Sequence, residues 1–514
     1  MYRCPSFLKS REFRGYAGIF SFTVLWFGIF AVARIDMHHD AIMLKPAIDV
    51  AAGKVIFRDT FCHYGALSVW LQALAVKFFG GEIVVGRLLT VVFYGGIAIL
   101  IDLVFRRFLS LPFRIVNLIL FWGMAPFYLV PMHPWSSVYS LFFMLLTEEH
   151  LLRFFDSERR TELFRAGFFA ACAFLARHPC GAAIFAAGAA VLAVHFVKYR
   201  REWDIPAWYV GGAAAVLGVF AIYISATGAW SDYLRQCFGY VVGFAVERGG
   251  NLAWGEIAKR FFPLNEVLWL VDTIYSLLPL ACLGSVWAVW HRLPPSGAEG
   301  RPTARRMLQY LTVALTGVVS WHQYYPVPCV RHLYWAAIPM FGVFALVAER
   351  LWRSEKYRIL SRSAAVILLL SGAIPVFFRF NYGTFDMLRY FPLRRRVNLK
   401  GCRQLWLTGK EGSFLLSLDR VFAGLPPEIR SRGVFNYTPD AVLSVIFPET
   451  GFRHKMFVNW GGGVYPDYPQ SALAYILRFR PAVVSQQSMI LPDYKLVLQT
   501  ELYGLQYWFY APLY

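Results

Sequence analysis

Residues 35–87 bring together carboxylates, imidazoles and cations directly behind the first apolar segment of the chain. Asp36 and Asp40 are four residues apart, so a helical continuation places both on one face. A carboxylate there can accept the proton of an acceptor hydroxyl as general base, while a second one orients the substrate. We expect Asp40, or else Asp36, to be this base; a solvated helix cap is the alternative.

Cations of this stretch and of later segments are candidates for holding a phosphate, because Arg and charged His form strong hydrogen bonds to phosphate oxygens. The candidates are Arg58, His63, Arg87, Arg177, Arg331 and His332. Cations near a membrane also snorkel to the interface without binding a ligand, which is the alternative for each of them. The histidines lack zinc-motif spacing and the eight cysteines are scattered singly, so we predict no metal ion and no disulfide framework.

Polar and aromatic residues near these groups are candidates for contacting a sugar or a lipid headgroup. The segment 321–332 carries Gln323 and Tyr325 together with two prolines that hold it extended. The aromatic belt of a membrane interface is the alternative explanation for its aromatic residues. The predicted substrate-binding residues are His39, Asp59, Tyr64, Gln323 and Tyr325.

Apolar runs of about 18 to 22 residues recur along the chain, each long enough to cross ~30 Å of hydrocarbon. Hydrophobic residues make up 58% of the 514 positions, which predicts a polytopic α-helical membrane protein. The net charge of +20 would suggest a nucleic-acid partner for a soluble protein, but here the cations sort by side of a membrane, so we predict no nucleic-acid partner. The spans, about eleven in number, are predicted at 16–34, 84–105, 113–131, 135–153, 164–178, 180–197, 206–226, 264–290, 307–323, 332–350 and 363–380.

The distribution of Lys and Arg predicts the orientation of these spans. Clusters of Lys and Arg recur in alternate connecting segments, beginning with the N-terminal one, and the positive-inside bias places these segments in the cytoplasm. The N-terminus is then inside and the C-terminus outside, so the first outer loop, 35–83, shares a side with the tail. Segments 41–52 and 65–79 are too short or too polar to span and are predicted to be interfacial helices.

The tail differs in composition from the rest of the chain, because its apolar runs are shorter and Gly and Pro are more frequent. We divide the chain into a transmembrane domain, 1–380, and an extracytoplasmic α/β domain, 381–514. Strands are predicted at 402–407, 434–437, 455–460, 482–485, 495–499 and 506–510. Helices are predicted from Thr438, which can cap, and over 469–480.

The order of short motifs over residues 36–107 resembles that of the GT-C glycosyltransferases, particularly the bacterial relatives of dolichyl-phosphate-mannose protein mannosyltransferases and the aminoarabinose lipid A transferases. In that superfamily an acidic pair precedes an interfacial helix ending in Gly; here His39 stands in place of the first acid, beside Asp40, and the helix leads to Gly53. The matching motifs that follow are Arg58-Asp59, His63-Tyr64-Gly65-Ala66-Leu67, Phe78-Phe79-Gly80 and Gly86-Arg87-Leu88. The segment from Tyr325-Pro326 to His332-Leu333 is similar to a loop of some bacterial members.

The resemblance implies a polyprenyl-phosphate-linked sugar donor and a lipid-linked glycan, glycolipid or protein acceptor. Polyprenyl phosphate is a good leaving group, so the expected reaction needs cations that stabilise the departing phosphate but no metal or cofactor, and it inverts the anomeric carbon. The expected location is the bacterial inner membrane, with the active site on the periplasmic face. A lipid or solute transporter is the main alternative, and charges deep inside the spans would favour it. A scaffold, or a glycan polymerase or ligase, is the third.

Overall fold

Helices account for most of the chain up to residue 379. The computed structural model describes residues 11–125, 132, 134–198, 202–240, 269–292, 301–324, 330–379, 389, 391–448, 456–459 and 468–513. The helices of its first part are α1 (Arg11–Ala31), α2 (His39–Ile42), α3 (Leu44–Ala51), α4 (Ala66–Phe79), α5 (Ile83–Phe105), α6 (Leu111–Gly123), α7 (Ser136–Ser157), α8 (Arg160–Ala176), α9 (His178–Lys198), α10 (Asp204–Ala226), α11 (Trp230–Leu234), α12 (Trp269–Trp290), α13 (Arg301–Ser320), α14 (Val330–Arg353) and α15 (Arg358–Arg379).

Six helices of the described residues are long and apolar enough to cross a membrane: α1, α5, α9, α10, α14 and α15. Three shorter apolar helices, in α4, α6 and α12, accompany them. These helices fit a multi-pass membrane protein. Every predicted span overlaps a helix, while the full number of spans and their orientation stay predictions.

Glycines allow α8 and α10 to pack closely against each other. A Cβ on Gly167 of α8 would lie 1.8 Å from the carbonyl oxygen of Tyr209, and one on Gly212 of α10 would lie 1.9 Å from that of Phe164. Only the absence of both side chains lets the two backbones approach this closely, as small residues do in membrane helix pairs. The α8 helix is thereby fixed against α10.

The first outer loop folds into three helices where two interfacial helices were predicted, because Met43 separates α2 from α3. Asp49 organises the loop from a nearly buried position. Its carboxylate accepts hydrogen bonds from Lys45 Nζ at 2.7 Å, Lys54 Nζ at 2.8 Å and Thr60 Oγ1 at 2.8 Å. A carboxylate buried with this many donors holds the end of α3 against the chain that leads to residues 61–65.

A four-stranded sheet forms the centre of the C-terminal part, with the strand order β1-β2-β4-β3. Its elements are a 3₁₀ turn (Phe391–Leu393), α16 (Gly409–Ala423), α17 (Pro427–Arg430), β1 (Val434–Tyr437), α18 (Leu443–Ile446), α19 (Tyr468–Phe479), β2 (Ala482–Ser485), β3 (Tyr494–Leu502) and β4 (Leu505–Pro512). β1 and β2 are parallel with α19 between them, whereas β2–β4 and β3–β4 are antiparallel. Tyr503 and Gly504 both have positive φ, as a two-residue hairpin turn requires.

Four of the six predicted strands are present, and the helix predicted over 469–480 is α19. The strand predicted at 402–407 is wrong, because Gly401 has a φ of +82° and starts a turn in which Leu405 N donates to Cys402 O at 3.0 Å. Residues 456–459 form no strand, and the rest of the segment 455–460 lies outside the described residues. The helix predicted from Thr438 begins only at Leu443, because the Thr438 hydroxyl accepts from Asp440 N and closes a turn instead.

Backbone hydrogen bonds attach the C-terminal part to residues 32–37, between the end of α1 and the beginning of α2. Trp406 N donates to Val32 O at 2.8 Å, and Arg34 N donates to Trp406 O at 2.9 Å. A further bond joins Val442 N to Met37 O at 3.0 Å. The turn after β1 therefore lies directly on the segment that carries Asp36.

Candidate functional site

Asp40 and Arg87 form an ion pair whose side chains are both 0% exposed. Arg87 Nε donates to Asp40 Oδ1 at 2.8 Å, and Nη2 donates to Oδ2. The remaining nitrogen, Nη1, donates to the carbonyl oxygens of Ala31 and Ala33, each at 3.0 Å. Every guanidinium nitrogen is thus occupied. In the structure this pair is closed and buried, and the roles predicted for Asp40 as base and for Arg87 as a phosphate-binding cation stay predictions.

Asp36 lies beside this pair and is partly open, with its side chain 17% exposed. Its Oδ1 accepts the backbone N–H of His39 at 2.8 Å and that of His38 at 3.1 Å, which fixes the carboxylate at the start of α2. Its Oδ2 lies 2.9 Å from His39 Nδ1 and 3.7 Å from Arg331 Nη1. The link to the buried pair is the Asp36 N–H, which donates to Asp40 Oδ2 at 2.7 Å.

Two histidines of the first outer loop, His38 and His63, have pKa values that keep them neutral. Burial, together with the neighbouring His39, lowers the pKa of His38 to about 4. Burial likewise lowers the pKa of His63 to about 3, with His38 and Arg177 acting in the same direction. His63 therefore contributes a neutral imidazole, in contact with Tyr64 at a ring separation of 3.8 Å, rather than the cation expected for phosphate binding.

Aromatic rings form one wall of the site. The Trp135 ring centroid is 5.2 Å from those of His39 and Tyr64, and 6.2 Å from that of Trp335. His332 extends this wall, with its ring 5.6 Å from Trp335. The predicted residues His39, Tyr64 and His332 are thus brought together.

Two guanidinium groups flank the same rings. The positive charge of Arg331, at the start of α14, acts to lower the pKa of His38 and of Tyr64, and its guanidinium lies 3.7 Å from the Asp36 carboxylate. Arg177, at the end of α8, donates to Ser137 Oγ and is coupled to His63 and Tyr64. The approach of the Gly65 backbone to α8 explains this convergence, because a Cβ on Gly65 would lie 2.1 Å from Leu175 O.

Gln323 is buried close to this region, in a 3₁₀ turn at Trp321–Tyr324. It is 1% exposed, and neither amide atom has a hydrogen-bond partner within the part of the chain that the structure describes. The preceding His322 has Nε2 3.4 Å from Cys180 Sγ, at the start of α9. Tyr325 and His133 lie outside the described residues.

The Arg58–Asp59 pair lies elsewhere in the loop. Arg58 Nε and Nη2 donate to the Asp59 carboxylate at 2.9 and 3.0 Å, and Nη1 donates to Thr227 O at the end of α10. Asp59 also accepts from Val55 N at 2.8 Å. These contacts tie the loop to α10, and none of them involves the residues around Asp36.

The C-terminal part supplies a carboxyl group that the sequence reasoning missed. Asp440 Oδ2 accepts hydrogen bonds from Gln486 Nε2 at 2.7 Å and from Tyr507 Oη. Burial, aided by the negative charge of Asp36, raises the pKa of Asp440 to about 6, although the hydrogen bond from Tyr507 acts in the opposite direction. Pro439 O contacts His38 Nδ1, so the loop that carries Asp440 packs against the residues around Asp36. Among the residues described, no group of three His, Cys, Asp or Glu side chains is arranged to hold a metal ion.

Two solved structures have a fold similar to that of this chain. The crystal structure of ArnT from Cupriavidus metallidurans bound to undecaprenyl phosphate has a TM-score of 0.56 at 12% identity, covering 96% of this chain and 98% of that one. The apo structure of the same protein has a TM-score of 0.54 at 11% identity, covering 97% and 98%. No protein-family model and no curated protein matches the sequence. The likeness therefore concerns the fold and extends over nearly the full length of both chains.

Proposed function

We propose that the chain transfers a sugar from a polyprenyl-phosphate-linked donor to an acceptor hydroxyl, with Asp36 as general base. The premise is the GT-C fold, and the observation that carries the assignment is the contrast between two carboxylates. Asp40 is completely buried against Arg87, whereas Asp36 is partly open between His39 and Arg331. A base must reach the proton that it accepts, and only Asp36 meets this condition.

The reaction is a single displacement. The acceptor oxygen forms a bond to the anomeric carbon while its proton moves to an Asp36 carboxylate oxygen. The bond between the anomeric carbon and the phosphate oxygen breaks, and the electron pair leaves with the polyprenyl phosphate. Attack opposite to the leaving group inverts the anomeric configuration.

Arg331 and Arg177 are the cations that we assign to the departing phosphate. Both flank the aromatic wall, and fixed cations that face a developing negative charge lower the barrier to its formation. No metal is required in this scheme, because phosphate is a good leaving group. Gln323 and the rings of Trp135 and Tyr64 are the proposed contacts for the sugar, since buried amides and aromatic faces suit its hydroxyls and C–H groups.

Asp40 and Arg87 are positioning residues in this proposal. The pair connects the start of α5 to the carbonyls at the end of α1, and through the Asp36 N–H it sets the position of the base. The extracytoplasmic face of a bacterial inner membrane is the proposed location, where the lipid tail of the donor stays in the bilayer. The acceptor is a lipid-linked glycan, a glycolipid or a protein.

The test is incubation of the purified protein, in lipid nanodiscs, with a panel of polyprenyl-phosphate sugars and hydroxyl-bearing glycolipids. Mass spectrometry is expected to detect free polyprenyl phosphate together with a glycosylated acceptor. Donor that crosses a liposome membrane chemically intact, with no product from any pair, would instead support a transporter.

A further inference from the structure

Two cysteines of separate segments meet beside the candidate site. Cys62 precedes His63, and Cys237 lies in a π-helical turn, Arg235–Gly239, that follows α11. The Cys62 thiol donates to Tyr64 O at 3.4 Å, and the Cys237 thiol donates to the same oxygen at 3.6 Å. The distance between the two sulphurs therefore cannot exceed the sum of these two distances. Rotation about χ1 of either cysteine changes the position of its sulphur and hence this distance.

The backbones around the two cysteines are held in register. Gln236 Oε1 accepts from Cys62 N at 2.9 Å, and Gln236 Nε2 donates to Phe57 O at 2.8 Å. Cys237 Sγ also lies 3.8 Å from Cys62 O. A side-chain amide that binds the partner backbone at two points restricts sliding of one segment past the other, which favours a cross-link over random collision.

We propose that Cys62 and Cys237 form a disulfide that fastens the first outer loop to the π-helical turn Arg235–Gly239. Both segments belong to the side that the Lys/Arg distribution predicts to be extracytoplasmic, where disulfides form and persist. In the structure both thiols are reduced and buried. The remaining described cysteines, Cys172, Cys180, Cys282 and Cys402, have no second thiol among their hydrogen-bonding contacts.

The chemistry needs a disulfide oxidant, either a disulfide-bonded protein or a small aromatic disulfide. One cysteine thiolate attacks the oxidant, forms a mixed disulfide and releases one thiol. The second thiolate attacks the protein sulphur of the mixed disulfide and expels the other thiol. Two protein thiols are oxidised, one oxidant disulfide is reduced, and the two protons end on the released thiols. Burial raises the pKa of both cysteines, so the exchange is fastest while the loops assemble and slow in the folded protein.

The test uses the full chain, both as isolated from membranes and after prolonged incubation with 4,4′-dithiodipyridine. Free thiols are blocked with N-ethylmaleimide in denaturant, and the protein is digested without reduction. Mass spectrometry is expected to show the Cys62 and Cys237 peptides joined, two hydrogens lighter than their sum, with loss of both alkylated peptides. The joined species should be absent from Cys62→Ser and Cys237→Ser and retained in Cys172→Ser, the matched buried control.

A second readout separates a cross-link from a folding defect. Reduction should lower the midpoint of thermal unfolding of the oxidised parent and of oxidised Cys172→Ser, because both proteins carry the cross-link, which restricts their unfolded chains. It should not lower the midpoint of Cys62→Ser or Cys237→Ser, which cannot form the cross-link. Recovery of both cysteines as separate alkylated peptides in every sample would overturn the proposal. This result would leave the proposed transferase activity untouched, since the activity does not depend on the two thiols.

Discussion

Removal of one partner of the Asp40–Arg87 pair should destabilise the protein far more than removal of both. In Arg87→Leu the Asp36 N–H is the one donor that the described residues leave to the Asp40 carboxylate, whose side chain is 0% exposed in the parent. An unpaired buried charge of this kind costs about 3–5 kcal/mol. The carbonyls of Ala31 and Ala33 lose their donor as well, so we expect the upper part of this range. The midpoint of thermal unfolding should fall by roughly 5–10 °C.

The double variant Asp40→Leu/Arg87→Leu should recover part of this loss, because it removes the uncompensated charge, although it leaves the two carbonyls without their donor and the Asp36 N–H without its acceptor. Arg58→Leu is the matched control, since Arg58 also forms a two-nitrogen pair with an Asp but its side chain is 46% exposed. That variant should shift the midpoint little, as expected for solvated ion pairs. The measurement is the fluorescence-detected midpoint in one detergent at one scan rate. Equal midpoints for Arg87→Leu and Arg58→Leu would refute the reasoning.

Further predictions concern charges around Asp36. Arg331→Gln should weaken binding of the donor more strongly than binding of an uncharged polyprenol, because the guanidinium is assigned to the phosphate; equal effects on both ligands, measured by calorimetry, would contradict this. The pKa of Asp440 is raised to about 6, so its proton stabilises the folded state. The stabilisation that this proton gives to the folded state is complete below about pH 4 and is lost as the pH rises through about 6. Asp440→Asn should flatten this slope in unfolding midpoints recorded from pH 4 to 7, and an unaltered slope would exclude Asp440 as its source.

Much of the architecture was predictable from the sequence because it depends on local patterns. The long apolar runs overlap the helices that were found, and the short β-branched and aromatic segments 482–485 and 506–510 fall within strands. The failures have equally local causes. The segment 402–407 has the composition of a strand, but Gly401 turns the chain before it, and a turn closed by the Thr438 hydroxyl displaces the following helix.

The partners of the charged residues could not be predicted in the same way. The sequence indicated that Asp36, Asp40 and Arg87 belong to one region, but side-chain pairing depends on tertiary contacts between α5 and the start of α2. The spacing of Asp36 and Asp40 in the sequence does not indicate which of the two carboxylates is buried in an ion pair and which is partly exposed. Asp440 was read only as part of a capping sequence, because its proximity to Asp36 arises from the docking of the C-terminal part on the first outer loop.

The most direct test of the central claim is the rate of sugar transfer by Asp36→Asn, with Asp59→Asn as the control. Asp59 is also an aspartate of the first outer loop, but it pairs with Arg58 away from the site. We predict that Asp36→Asn lowers the rate by about 10²–10⁴-fold while donor binding and the unfolding midpoint stay close to those of the parent, and that Asp59→Asn remains active. Undiminished transfer by folded Asp36→Asn would contradict the assignment of Asp36 as the base.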